Sequence, residues 1–472
     1  MSFVTLPDLG EGIEKATVAC WHRKEGDQVE EDDDVVEVVT DKASFNIPAG
    51  ACGILREILV KDGQEARIGE ALGAIEPEPL TQNKRRVLLM YITKVSGHRQ
   101  ATLAIQQALH QIDPDIEAPA INGFGYTYPI LEKIINKAYM SVIKRTPKVW
   151  DYLYDNPQIF KQSEPIKKFL HKTSHAKIAN LIKSYRPDVI VCTQAFPCGM
   201  VADYKIVHHL NTKIIGVLTD FAPHSYWLNE GVDYYVVPSA EVKDRLVAKG
   251  VRADIIKVYG IPLRPRFGVP LERATIAQKL GLNPQVPAIL VMGGGQGLGP
   301  IKKIVKSLGK VNMQLQIIVL AGVNTKIVNS LRRYARKTDK TILIFEFVTN
   351  VEELMEVADL IITKPGGMTT AESLAKGLPM IIINPIPGQE MRNTDFLLKK
   401  GVGVRIDDTN DIGEEVEILL KSPERLAAMR KAALENAKPQ AALDIARLIL
   451  SMPEGSACPA ATNCGEALSG HV

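Results

Sequence analysis

No stretch of the 472 residues approaches the roughly 18 to 20 consecutive apolar positions needed to cross a bilayer. The N-terminus lacks the basic and apolar regions of a secretory signal, which points to a cytoplasmic protein. Cysteine is scarce: Cys20, Cys52, Cys192, Cys198, Cys458 and Cys464 form no pair of CxxC elements of the kind that holds zinc. They read as buried thiols or incidental tail residues, and no metal is expected. A dinucleotide signature is missing too. The glycine-rich run from Gly293 to Gly299 offers no GxGxxG register, because the sixth position falls on Leu298, Pro300 or Lys302. After Gly299 the first acidic residue is Asp339, too far on for the ribose-binding carboxylate expected about 20 residues downstream. NAD binding is therefore disfavoured.

What is present is ordinary globular material, 46% hydrophobic and 24% charged, with length for about three domains. The net charge of +3 hides an asymmetry. Residues 1–80 hold 18 Asp/Glu against 7 Lys/Arg, a net of −11, and the remainder carries +14. Opposite charges argue for two modules with different partners.

The stretch Ile361–Asn393 organises the larger module. Leu360-Ile361-Ile362 ends a strand, and Pro365-Gly366-Gly367 breaks the chain before a helix starting near Thr369. The free N–H groups and positive dipole end at such a start bind phosphate without a metal, and glycines allow close backbone approach. Thr369-x-x-Glu372 also fits a capping box. Met380–Ile383 then reads as a buried strand delivering the loop Pro385–Glu390, where the Gln389 amide and Glu390 carboxylate suit sugar hydroxyls.

Other strands alternate with helices through the module. Arg86–Tyr91 leads through Thr93–Gln100 into a helical pattern, which sets His98 at a strand-to-helix junction facing a sheet-edge crevice. Between Tyr126 and Tyr154 apolar residues recur at helical spacing among Lys133, Lys137, Lys144, Arg145 and Lys148, followed by Trp150, Tyr152 and Tyr154. That composition suits either an interfacial membrane helix or a core-packed helix with a solvated basic face. Ile214–Asp220 is a further strand, running into Phe221–Trp227 with His224. Ala288–Met292 leads into Gly293–Pro300.

The combination TKPGGMTTAE followed by PGQE resembles the diacylglycerol glycosyltransferases. These are plant-type monogalactosyldiacylglycerol synthases and bacterial processive glucosyltransferases, relatives of the enzyme that adds N-acetylglucosamine to lipid I. The resemblance covers roughly residues 84 to 450. It implies an α/β fold of two Rossmann-like domains in the GT-B arrangement, one over 84–265 that takes the acceptor and one over 266–450 that takes the nucleotide-sugar. GIPLRP, residues 260–265, matches the hinge. It further implies transfer of a hexose from a UDP-sugar to diacylglycerol with inversion, without a metal, at an anionic membrane surface on the cytoplasmic face. By the same resemblance His98 is the base, and Asp220 and His224 line the acceptor side. The loop with Gly294, Gly295, Gln296 and Gly297 and the backbone at Val348 hold the donor. So do Gly366, Gly367, Met368 and Thr369, with Glu372 on the ribose and Gln389 and Glu390 on the sugar. No nucleic-acid partner is expected.

Residues 1–79 read as short strands punctuated by glycine turns, with Val35–Val39 and Ser44–Ile47 flanking an Asp41-Lys42 tip. LPDLGEGI, VTDKASFNIPA and IGEAL are similar to lipoyl domains of 2-oxoacid dehydrogenase complexes, small all-β barrels or sandwiches. The resemblance implies lipoate on Lys42, with a lipoate ligase or a dehydrogenase component as partner. Asp-Lys-Ala at the tip, where biotin carriers usually have Met-Lys-Met, favours lipoate. No HxxxDG acyltransferase motif follows downstream. A carrier or docking protein with an inactive transferase half is the rival reading, as is transfer of N-acetylglucosamine to a polyprenyl-linked acceptor. Residues 451–472, rich in Gly, Ser, Ala and Pro, are expected to be disordered.

Overall fold

A computed structural model describes residues 2–10, 13–29, 33–40, 43–51, 53–76, 85–93, 96–128, 176–223, 225–295, 297 and 299–452. The basic stretch of 129–154, Lys42, His224 and Gln296 lie outside the described residues. The chain divides into two units, Met1–Lys84 and Arg85–Val472.

The first unit is all antiparallel. One four-stranded sheet runs Ser2–Thr5, Ala71–Glu76, Gly53–Ile58, Gln28–Val29, and the other runs Ser44–Pro48, Asp34–Val39, Lys15–Trp21, Glu65–Arg67. Alternate residues such as Val18, Val36, Val38, Leu55, Leu72 and Ile75 close the core between them. Val39 pairs with Ser44 at the end of the central hairpin, and the turn is held by Thr40 N donating to Ala43 O at 2.9 Å. In the sequence, Asp41 and Lys42 stand between Thr40 and Ala43 and lie outside the described residues.

The second unit contains two six-stranded parallel sheets. The N-terminal sheet is ordered Ala120–Asn122, Val87–Tyr91, Val189–Cys192, Lys213–Val217, Tyr234–Val236, Ile256–Lys257. Its first strand in sequence lies between the second and the third, so its switch point falls between Val87–Tyr91 and Val189–Cys192. The C-terminal sheet is ordered Thr341–Phe345, Gln316–Leu320, Ala288–Met292, Leu360–Thr363, Met380–Ile383, Gly403–Ile406. There the switch point falls between Ala288–Met292 and Leu360–Thr363. In open α/β sheets, ligands bind beyond the carboxyl ends of the strands at such points. The two loops that leave these strands are the glycine run from Gly293 and the Pro365-Gly366-Gly367 turn.

Helical structure after Ser422 is interrupted, with helices Pro423–Glu435 and Ala441–Ser451. The last helix returns to the N-terminal sheet. Ala442, Ile445, Ala446 and Ile449 are buried with Val87, Leu89, Ala104, Ile105 and Leu109, and Arg85 Nη1 donates to Ile449 O at 2.9 Å.

Candidate functional site

His98 opens the helix Gly97–Ile112, whose cap Ser96 accepts from Arg99 N through its hydroxyl. The imidazole is held from strand ends far away in sequence. Its Nδ1 lies 2.9 Å from the Thr193 carbonyl oxygen and 3.0 Å from Thr219 Oγ1. A carbonyl only accepts, so Nδ1 carries the proton and Nε2 keeps its lone pair. Burial pushes the His98 pKa below its ordinary 6.5, against the opposing pull of the Thr193 carbonyl. A neutral imidazole with a fixed tautomer is a general base at neutral pH.

Thr219 ties this imidazole to the C-terminal half. While its hydroxyl touches His98, its carbonyl oxygen would lie 1.7 Å from a Cβ placed on Gly367, and Asp220 Oδ1 2.8 Å from the same point. Gly367 is therefore glycine because the other half's backbone occupies the place of a side chain. Alongside it, a Cβ on Gly97 would stand 3.0 Å from Met368 Cγ. The start of the His98 helix thus faces the start of the helix Gly367–Ala375.

The latter helix begins two residues earlier than its sequence suggests. Gly366, in extended conformation, is the N-cap, so Thr369 and Glu372 are interior and no capping box forms. Its first turn holds no acidic residue, leaving the positive end unneutralised. The glycine run is shaped by the same kind of contact. Gly297 has φ 59, and a Cβ there would fall 2.0 Å from Ala321 O. Gly294 also has positive φ and is exposed with Gly295. Val348 is partly buried against the C-terminal core.

Gln389 and Glu390 occupy the first turn of the helix Gln389–Lys399, behind Gly388 with φ 84, and not a loop. Both make contacts within the protein. The Gln389 amide donates to Asp220 Oδ2. Glu390 accepts from Ile386 N at 2.7 Å and pairs with Lys364 at 3.2 Å. One turn on, Asn393 donates to Asp220 Oδ1 at 3.3 Å and to Pro365 O at 2.9 Å, and accepts from Phe221 N at 3.0 Å. Asp220 is thus the socket of a latch between the halves. Arg264 makes a second tie, donating to Gln100 Oε1 at 2.9 Å and to Thr349 O at 2.7 Å.

Sequence reasoning missed Thr193, Arg264, Lys364 and Asn393. Asn393 lies four residues beyond Gln389, one helical turn, a spacing that only signals once the helix is known to start at Gln389. The structure brings together His98, Asp220, Gly367, Met368 and Gln389 along one seam.

Burial, before any other cause, raises the Asp220 carboxyl to about 7 and that of Glu372 to about 8. The amides of Asn393 and Gln389 oppose the rise at Asp220, as Arg264 does at Glu372. Each native carboxyl binds its proton more tightly than in the unfolded chain. Stability contributed by that difference is therefore present at low pH and lost as pH rises towards 7 to 8. The urea midpoint of Asp220→Asn is expected to fall less between pH 5 and pH 8 than that of the parent protein. Parallel curves would refute the assignment to Asp220.

The two six-stranded parallel sheets define the GT-B architecture. MurG of Acinetobacter baumannii has the same fold, with a TM-score of 0.54 at 15% identity over 78% of this chain and 100% of that one. A UDP-N-acetylglucosamine 2-epimerase gives 0.51 at 14% identity, over 78% of this chain and 94% of its own. Residues 98–263 match the monogalactosyldiacylglycerol (MGDG) synthase family model, residues 288–445 the glycosyltransferase family 28 C-terminal domain, and residues 2–75 the biotin-requiring enzyme (biotin/lipoyl) domain. The chain belongs to the family of processive diacylglycerol β-glucosyltransferases. The member from Bacillus pumilus (strain SAFR-032) is 33% identical over 261 residues, 55% of this chain and 67% of its own. The member from Bacillus subtilis (strain 168) is 29% identical over 353 residues, 74% of this chain and 90% of its own.

Proposed function

We propose that the Arg85–Val472 unit transfers a hexose from a UDP-hexose to diacylglycerol at a membrane surface, with inversion at the anomeric carbon. One observation carries the reading: Thr219 touches the His98 imidazole with its hydroxyl and packs its carbonyl against Gly367 at the start of the anion-binding helix. The proposed base and the proposed diphosphate site thus meet at one residue, Thr219. Nε2 of His98 takes the proton from the acceptor hydroxyl as its oxygen bonds to the anomeric carbon. The bond from that carbon to the UDP oxygen breaks, and its electron pair leaves with UDP. The N-terminus of Gly367–Ala375 and the glycine run from Gly293 stabilise the departing diphosphate by oriented N–H groups, with no step needing a metal.

Glu372 binds the ribose, and Gln389 and Glu390 bind the sugar once the donor displaces their contacts to Asp220 and Lys364. His224 lines the acceptor side, Gln296 and Val348 the donor side, and residues 129–154 meet anionic lipid. Among the described residues no helix is long and apolar enough to cross a membrane; peripheral attachment on the cytoplasmic face is part of the proposal. Names of relatives point to diacylglycerol as acceptor. The N-terminal match supports a lipoate or biotin attachment domain, and the Asp-Lys-Ala sequence favours lipoate on Lys42. UDP release is expected from UDP-glucose or UDP-galactose only when diacylglycerol vesicles are present, with Glu372→Ala raising the donor KM. Equal release without vesicles, or from none of the UDP-sugars, would overturn the assignment.

A further inference from the structure

The first unit carries three chemically different donor groups on one face of one sheet. Cys20 lies near the end of the strand Lys15–Trp21, and His22 follows two residues later, on the same side of the extended chain. Glu37 stands opposite Cys20 on Asp34–Val39. That pairing depends on an irregularity in the ladder. Val18 pairs with Val38, but Cys20 pairs with Glu37, so one extra residue is inserted between them. In a regular ladder Cys20 would oppose Val36, which is fully buried in the core. The bulge places the thiol beside a carboxylate instead.

The resulting geometry is compact. Cys20 Sγ is 4.0 Å from His22 Nδ1 and 3.8 Å from Glu37 Oε2, and all three donor atoms lie within 4.8 Å of one another. A tetrahedral zinc ion with Zn–S of about 2.3 Å and Zn–N of about 2.0 Å holds its sulfur and nitrogen about 3.6 Å apart. Contraction by a few tenths of an ångström would close the Cys20–His22 edge, and rotation of the exposed His22 ring and the Glu37 side chain would complete the site.

An outer layer supports the imidazole. His22 Nε2 is 3.3 Å from Asn46 Oδ1, and Asn46 Nδ2 donates to Asp34 Oδ2 at 3.2 Å. An Nε2–H donating to that amide oxygen leaves the Nδ1 lone pair facing the sulfur. Metal-ligating histidines are oriented in this way by a partner on the second nitrogen. A cation bound there would replace the thiol proton and neutralise the carboxylate at once.

We propose that Cys20, His22 and Glu37 form a site for a zinc-like divalent cation, with water completing a tetrahedron. One sulfur, one imidazole nitrogen and one carboxylate suit zinc, whereas magnesium and calcium take all-oxygen shells. The site joins Lys15–Trp21 to Asp34–Val39, which pairs in turn with Ser44–Pro48, so the cation would brace that hairpin. The rule for paired CxxC elements passed over it, because its ligands are a Cys-x-His on one strand and a cross-strand glutamate.

The test uses the full-length, tag-free protein titrated with Co²⁺ as probe, followed by displacement with Zn²⁺. One equivalent of cobalt with a near-ultraviolet sulfur-to-metal band is expected, erased by zinc. Cys20→Ser and His22→Gln should lose the band, and Asn46→Ala should keep it while weakening zinc binding about 10- to 100-fold. Circular dichroism and melting of the variants in chelator show whether they remain folded. No band in the parent protein, or the same band in folded Cys20→Ser, would overturn the proposal.

Discussion

Replacing His98 by Ala is expected to lower kcat for sugar transfer by about 10²- to 10⁴-fold, the usual contribution of a positioned base. UDP-sugar affinity, measured by calorimetry, should change little, because the imidazole is held by Thr193 and Thr219 of the N-terminal half and its proposed partner is the acceptor, not the donor. The pH profile gives a second readout. Burial holds the His98 pKa below 6.5, and a base acts through its neutral ring. In the parent protein kcat/KM should therefore rise with pH to a plateau reached below neutrality, and that acid limb should vanish from the residual activity of His98→Ala. A variant that loses donor affinity and keeps its acid limb would remove His98 from the role of base.

Gly367→Ala should produce the second large effect. The added methyl would stand 1.7 Å from Thr219 O and 2.9 Å from Thr219 C, both backbone atoms that cannot turn aside. Gly366→Ala meets nothing within 4 Å, and Gly366 has φ −65, so its backbone already suits alanine. Overpacking of this kind costs about 1–3 kcal/mol. Because the seam also carries the Gly97–Met368 approach and the Asp220–Gln389 hydrogen bond, the clash should separate the halves locally. Melting curves should place Gly367→Ala several degrees below the parent and Gly366→Ala close to it, with transfer activity falling sharply only in the former. Equal melting temperatures for all three proteins would show that the close approach at Gly367 is not maintained in solution.

The two neighbouring glycines also show what could be read in advance. A strand, a glycine break and a helix were legible around Pro365 because periodicity and breakers are local signals. The helix start was not, since Thr369-x-x-Glu372 satisfies a capping pattern that the extended backbone at Gly366 pre-empts. His98 was legible as a junction residue. Its tautomer was not, because Thr193 and Thr219 lie 95 and 121 residues away. Gln389 and Glu390 appeared to belong to a loop for a related reason: Gly388, at φ 84, turns the chain into a helix that no side-chain cap announces. Glycine turns marked the short strands of residues 1–79, and the motifs LPDLGEGI, VTDKASFNIPA and IGEAL carried the resemblance to lipoyl domains. The bulge that sets Cys20 against Glu37 was hidden, because a one-residue slip leaves the pattern of strands and turns unchanged.

The return of the last helix to the N-terminal sheet has a mechanical consequence. The backbone crosses between the halves twice, once around Gly260–Gly268 and again around Lys438–Gln440. The crossings touch, for a Cβ on Gly260 would meet Lys438 Cβ at 2.3 Å and one on Gly268 would meet Gln440 Nε2 at 2.7 Å. A body tethered by one strand can swivel about any axis, whereas two adjacent tethers leave a single pivot line. Any opening would then swing like a door, parting the Thr219–Gly367 edge while the pivot side stays shut, and closing would return His98 and the Gly367–Ala375 helix to the same register.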